Sequence, residues 1–308
     1  MKFGNILRQH WAALRALLVF TVIVGFGYPL LIWLVAQLPG LHDKAEGSIL
    51  TAGGKPVGSK HIGQLFTDAS GNPLPKYFQS RPSAAGSNGY DPTASSGSSL
   101  GPESVVDTPG DPAKLAAGAS ASDAGFKPGL LTQVCSRSAA IGQLEGVDGS
   151  RPFCTGGGVG AVLSVIGPRD SRGYVIHPAR VVSVNEPCST TKQPFLDFYE
   201  GVRVECAKFD EDYSSGQIVP IRGAAPSTPQ VPADAVTASG SGLDPDISPA
   251  YADIQVARVA NARHVSPDQI RAVLAQYRSG RDLGFFGEPT VNVLELNLEL
   301  DHRYPVNG

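Results

Sequence analysis

"ALLVFTVIVGFGYPLLIWLVAQL", residues 16–38, carries no charge along its whole length. At 1.5 Å of rise per residue a helix of this length runs about 34 Å, enough to cross a hydrocarbon core of about 30 Å with some tilt. A cleaved signal peptide would have an apolar stretch of only ~7–15 residues and a small-residue cleavage site, and "VAQLPG" is a poor one. The run is therefore expected to be a transmembrane helix. Lys2, Arg8 and Arg15 precede it without an acid among them, whereas Asp43, Lys44 and Glu46 follow it. Basic residues stay inside. Residues 1–15 are accordingly expected to be cytoplasmic and everything after the span outside, in a single-pass membrane protein. Within the span, Gly25 and Gly27 permit close helix approach and Pro29 frees a carbonyl, so this face is expected to dock on a partner helix.

The exported part sets the fold class. Only 17% of the chain is charged while it holds 36 Gly and 25 Pro, which favours loops over long regular elements. The whole chain is at −3 and its first fifteen residues contribute three positive charges, so the rest is more acidic still. That disfavours nucleic acid as a partner. All four cysteines, Cys135, Cys154, Cys188 and Cys206, follow the span, and none has the C-x-x-C spacing of a zinc ribbon or redox motif. Outside the cytoplasm an even number favours two disulfides over four buried thiols. Of three pairings, Cys135–Cys154 and Cys188–Cys206 are preferred, because each closes a short loop within a separate strand-rich segment.

Three regions follow the anchor. Residues 47–100 alternate short apolar pieces such as "HIGQLF" with turn-rich ones such as "DASGNPLP", which suggests short strands in an irregular unit. Residues 103–230 hold the cysteines, low-complexity "PAKLAAGASASDAG" and three strand candidates, "GAVLSVIG", "YVIHPARVVSVN" and "GVRVECAKF". They resemble an inserted β-rich subdomain between linkers. From 231 onward the pattern is more regular. Ser248-Pro249 marks a helix to about Ala262 with Ile254, Val256, Val259 and Ala260 on its core face, and Ser266-Pro-Asp-Gln269 marks a second to about Arg278, with Gly280 to end it. In "VNVLELNLEL" alternating leucines favour a strand, while Asn292 with Glu295 forms a capping pattern, so helix and strand both stay open. The expected class is α+β: 16–38 as the anchor, 39–102 with 231–308 as the extracytoplasmic domain, and 103–230 as the insertion.

No enzyme emerges from the motifs. Around Ser241 the sequence is Ser-Gly-Ser-Gly-Leu, without the first Gly of a nucleophile elbow. Asp244 and Asp246 have the first two spacings of a calcium loop but none of its later ligands. Closely spaced glycines in "CTGGGVGA" lack the Lys-Ser/Thr of a P-loop. The six histidines form no metal-ligand spacing. An arginine beside a proline, as at Arg81, more often pairs with a carboxylate or carbonyl than with an anion. In 237–248 the bland expectation is structural: glycines allow positive φ, Asp244-Pro245 turns the chain, and Ser248 caps a helix.

Six separated blocks, "GYPL" (27–30), "GSKHIGQLF" (58–66), "YFQSRPSAAG" (77–86), "GYDPTASSGSSLGP" (89–102), "VPADAVTASGSGLDPDISPAYADIQVARVANAR" (231–263) and "GEPTVNVLELNLELD" (287–301), resemble, in order, the KdpC subunit of bacterial potassium-transporting ATPases. The resemblance covers the span and both flanks of the exported part but not 103–229, where the sequence departs from the compact family pattern. His61, Ser99 and Asp246 depart at single positions. The resemblance implies a non-catalytic, single-span subunit of a four-component pump. Its partners would be a channel-like potassium-binding subunit, a P-type ATPase subunit and a small peptide, besides membrane lipid. It also implies a catalytic chaperone that raises the ATP affinity of the pump subunit. Because ATP is cytoplasmic and the domain is expected outside, ATP and potassium are expected as ligands of the complex, with no cofactor bound directly and any effect carried through subunit packing. Gly25, Gly27, Pro29, Gln64, Arg81, Ser239, Ser241, Asp244 and Gln255 are the expected subunit contacts. A free-standing anchored module that binds cell-envelope polymer is the alternative.

Overall fold

The computed structural model describes residues 3–188, 191–209 and 211–306, and divides into two compact units, residues 1–61 and 62–308. Lys2, one of the three flanking bases, lies outside the described residues.

In the first unit one continuous helix covers Gly4–Ala36, 33 residues that include an 18-residue stretch with a mean hydropathy of 2.3, by length and composition enough to cross a membrane. It begins at Phe3, well before the uncharged run, so most of the expected cytoplasmic segment is helical. Its large apolar side chains, among them Leu17, Phe20, Phe26 and Trp33, are exposed. Between the α-helical stretches Phe3–Val22 and Tyr28–Ala36, residues Ile23–Gly27 form a π-turn in which Tyr28 N–H donates to the Ile23 carbonyl. The cause is local: Pro29 has no N–H for the preceding turn, and the wider turn absorbs the defect. After the span, Ile49–Ala52 and Lys55–Ser59 pair as an antiparallel hairpin. Gly53 and Gly54 turn it at φ 57° and 76°, the left-handed pair a two-residue hairpin requires.

The second unit has two hydrophobic centres. One packs Phe78, Val231, Val236 and Ile247 against Pro249–Arg263, Pro267–Gln276 and Val293–Arg303. Ser248 and Ser266 cap the first two helices, the latter through a full capping box with Gln269. The second helix stops at Gln276, and Arg278–Ser279 is already a strand, so Gly280 does not end it. The ambiguous last segment is a helix: Asn292 accepts from Glu295 N–H, and Val293, Leu296 and Leu300 point inward at helical spacing. The other centre belongs to a five-stranded sheet in the order Phe198–Tyr199, Val202–Ala207, Arg180–Pro187, Val162–Ile166, Gln217–Pro220. Arg180–Pro187 runs parallel to Val202–Ala207 and the other pairs are antiparallel.

Two expectations change here. Residues 62–102 form no regular strand beyond an isolated bridge between Thr67 and Pro73. And the segment 103–230, which carries the five-stranded sheet as its β-rich reading expects, also holds an unexpected element: Leu130–Glu145 is a 16-residue helix whose Val134 and Ile141 pack on the first hydrophobic centre. Its buried face is made of Thr132, Cys135, Ser138, Gly142 and Glu145, which hides the apolar period. Gly142 allows close approach there, since a Cβ would lie 2.6 Å from the Gly149 Cα. Cys135 therefore sits on a helix, not a strand, while the pairing Cys135–Cys154 and Cys188–Cys206 is as expected.

Irregular chain runs into the first centre through residues 75–79, where Phe78 and Gln79 are buried, and buried backbone needs partners. Asn297 takes both Phe78 groups, accepting from its N–H at 2.9 Å and donating to its carbonyl at 2.9 Å. Gln255 does the same for Gln79, at 2.6 and 3.2 Å. Arg258 donates to the Pro75 and Tyr77 carbonyls and Arg263 to that of Lys76. These four helical side chains replace a β-ladder.

At the sheet, Arg180 bridges Glu205 and Glu211. The Tyr213 hydroxyl and the Arg180 guanidinium hold the Glu211 carboxyl down at about 2, against an ordinary 4.5. A lowered folded-state value means that this contribution is complete above about pH 4.5 and is lost as pH falls toward 2. Melting temperatures of the native chain and Glu211→Gln should therefore differ near pH 6 and converge near pH 2. A difference that does not narrow would assign the effect to packing.

Candidate functional site

The site is the loop of residues 237–248 with the irregular chain that cradles it. Ser239 Oγ accepts from Gly242 N–H at 2.9 Å, and Ser241 Oγ accepts from Leu243 N–H at 3.1 Å while donating to Asp244 Oδ1 at 3.0 Å. Such short side-chain bonds to nearby N–H groups fix a turn. Gly242 sits at φ 74°, and a Cβ there would lie 2.5 Å from that of Ala85, so only glycine fits. From the facing segment, Ser83 Oγ donates to the Gly242 carbonyl at 2.7 Å and Ser95 Oγ to that of Ser241 at 2.8 Å.

Charge centres on Arg81, whose Nη1 meets Asp244 Oδ2 at 3.0 Å and whose Nη2 donates to the Thr237 carbonyl. The arginine thus takes a carboxylate and a carbonyl, as its sequence context suggests. Beneath it the Tyr90 hydroxyl donates to the Arg81 carbonyl at 2.9 Å. Burial pushes the Tyr90 phenol up to about 12, so it stays a neutral donor at any physiological pH. Arg81, Asp244 and Asp246 line an open cleft of about 510 Å³ together with Asp234 and Glu288. Four carboxylates facing one guanidinium make the cleft acidic. Asp234 is engaged by Ser248, whose N–H and Oγ donate at 2.7 and 2.8 Å, and Asp246 accepts from Asn292 at 3.1 Å. Among the described residues no three His, Cys, Asp or Glu side chains gather as a metal site.

The sequence-predicted residues divide by burial. Ser241 is exposed and Asp244 keeps 39% of its side chain accessible, while Ser239 is 1% and Gln255 0% exposed. Ser239 shapes the loop from beneath, and Gln255 is spent on Gln79 and Arg258, so neither reaches a partner docking on this surface. Gln64 is half-buried, and its carbonyl accepts from Ser80 Oγ at 2.9 Å. Gly25, Gly27 and Pro29 lie in the long helix of the first unit, at and just beyond the π-turn. Arg258, Arg263 and Asn297, which hold residues 75–79, carry no signal beyond being polar residues on an otherwise apolar helix face.

Comparison with known proteins agrees with this architecture. The KdpC family model, described as "K+-transporting ATPase, c chain", matches residues 10–108 and 207–302, more than half of the chain. A protein of Kineococcus radiotolerans named "Potassium-transporting ATPase KdpC subunit" is 34% identical over 301 residues, covering 98% of this chain and 97% of its own. Proteins of the same name from Beijerinckia indica and Mycobacterium tuberculosis are 32% and 33% identical over 294 residues, each covering 96% of this chain and 93% and 98% of their own. Alignments of this reach run through the segment the family model skips, so that segment is not peculiar to this chain. The loop, its cradle and the uncharged run of the apolar helix all fall within the matched blocks, and the chain belongs to the KdpC family, the accessory c chains of potassium-transporting ATPases.

Proposed function

We propose that the chain is anchored with its N-terminus in the cytoplasm and its second unit outside. There the 237–248 loop docks on the other subunits of the ATPase, helping them assemble and stay together. Two disulfides support the exterior placement, because such bonds persist in oxidising compartments. The partners proposed are the channel-like potassium-binding subunit, the P-type ATPase subunit and the small peptide, with potassium and ATP bound by the complex. A raised ATP affinity would pass through subunit packing across the membrane.

The observation that carries this proposal is the loop itself: a fixed, strongly hydrogen-bonded turn that leaves Ser241 and part of Asp244 open to solvent over an acidic cleft. Ser241 and Asp244 are the proposed contacts; Ser239 and Arg81 hold them in place, while Gln255 supports the neighbouring segment at Gln79.

Asp244→Asn should change stability by about 0–1 kcal/mol, since the Arg81 pair is partly exposed. It should still lower the amount of ATPase subunits recovered with the tagged chain in mild detergent. Gln255→Ala, which leaves the Gln79 N–H and carbonyl without their partner, should instead cost about 1–3 kcal/mol of stability. Normal recovery with Asp244→Asn would make the loop a purely internal turn. In the span, Gly25→Leu should likewise reduce recovery if the glycines face a partner helix, and leave it unchanged if they face lipid.

A further inference from the structure

A hairpin tip at residues 281–287 exposes large apolar side chains that the fold makes no use of. Leu283 is 83% exposed, Phe285 65% and Phe286 58%, and the two phenyl rings touch in a tilted pair with centroids 4.2 Å apart. The tip is not loose chain. Asp282 and Phe286 exchange both backbone bonds at 2.9 Å, Gly284 N–H donates to the Arg281 carbonyl at 3.1 Å, and Arg281 clamps Glu288 at 2.7 Å across the base. Leu283 is held at φ 54°, a left-handed conformation that a branched side chain avoids unless its surroundings impose it. The backbone is thus strained and fixed in a shape whose only visible result is to push three apolar side chains into water.

We propose that this tip is a docking knob that inserts into an apolar pocket on the extracytoplasmic face of another subunit of the same ATPase. The inference rests on the subunit role proposed above. Leucine and a pair of touching aromatics at the centre, with charges around them, reproduce the dry core and polar rim of a protein interface. The rim also decides against a lipid surface: Arg278 and Arg281 are matched by Asp282 and Glu288, so the tip has no net positive charge to draw it to anionic headgroups. Its base continues into the candidate site, because Glu288 and Pro289 form one wall of the cleft lined by Arg81 and Asp244. Knob and cleft make one continuous face, convex and apolar beside concave and acidic.

The test uses the full chain coexpressed with its ATPase and recovered in mild detergent. The triple variant Leu283→Ser, Phe285→Ser, Phe286→Ser removes only exposed groups, so its melting temperature should match that of the native chain. Recovery of the ATPase subunits should fall about tenfold or more, as expected for a hot spot. Among the described residues both disulfides use every cysteine, so Phe286→Cys adds one labelling site for an environment-sensitive dye. The dye should shift to the blue in the assembled complex and not in lipid nanodiscs holding the chain alone. Unchanged recovery and no shift in the complex would overturn the knob. A shift in nanodiscs alone would assign it to lipid, and a concentration-dependent shift of the isolated chain to a second copy. Failure of the native chain to bring down any ATPase subunit would refute the subunit role beneath it, a result that the variant arms do not mimic.

Discussion

Arg258→Ala should destabilise the second unit by about 3–5 kcal/mol, a large share of the 5–15 kcal/mol that a native domain has in total. Arg258 and Glu145 meet at 2.9 Å with 8% and 1% of their side chains exposed, joining the family-matched helix Pro249–Arg263 to the helix Leu130–Glu145 of the unmatched segment. Removing the guanidinium leaves the Glu145 carboxylate uncompensated in the interior and frees the Pro75 and Tyr77 carbonyls. Burial pushes the Glu145 carboxyl above its ordinary range even with Arg258 in place. A raised folded-state value means the folded protein binds the proton more tightly, so stability falls as pH rises through the window above 4.5 and recovers as pH falls. The deficit of Arg258→Ala should therefore shrink on acidification, and Glu145→Gln should cost much less in that background than alone. Denaturant unfolding followed by tyrosine absorption reads this unit, because both tryptophans, Trp11 and Trp33, are in the apolar helix. A loss under about 1 kcal/mol, independent of pH, would show that the pair is not what joins the two helices.

The second large effect concerns the bond between Cys135 and Cys154, whose partners are 19 residues apart. Closing a loop of that length restricts the unfolded chain by about 3 kcal/mol. At about 2–4 °C per kcal/mol for a unit of this size, Cys135→Ala with Cys154→Ala should lower the melting temperature by about 6–12 °C. Cys188–Cys206 closes 18 residues and should match it on loop length. The first pair should nonetheless cost more, because Cys135 is 1% exposed on the buried face of the helix Leu130–Glu145. Equal losses from the two pairs would make loop closure the whole effect. No loss from either would mean that these bonds add nothing to the fold.

How much of this was legible in the sequence depends on where the signal is local. Caps are local: Ser248-Pro249 and Ser266 with Gln269 fix two helices through bonds made within four residues. The uncharged run fixes a long apolar helix for the same reason. "VNVLELNLEL" satisfies two periods at once, and only packing decides it, Val293, Leu296 and Leu300 being the residues that find the core. Leu130–Glu145 escapes because its buried face is small and polar; Gly146, left-handed at φ 68°, was the one stop signal it offered. Residues 75–79 look like loop and are loop, yet Phe78 and Gln79 are buried there, and Asn297, Gln255, Arg258 and Arg263 reach the stretch from up to 219 positions away. No local pattern encodes that. At the candidate site the glycines, serines and Asp244 were visible as turn formers, whereas the burial of Ser239 and Gln255 follows only from what packs over them.

Potassium-stimulated ATP hydrolysis by the detergent-purified ATPase, measured without this chain and after adding it back, tests the proposed role most directly. Without the chain, the stimulated rate should be lost or fall at least tenfold. The full-length protein should restore it, and Asp244→Asn or the 283/285/286 serine variant should restore it only in part. Full stimulated activity in the absence of the chain would contradict the account.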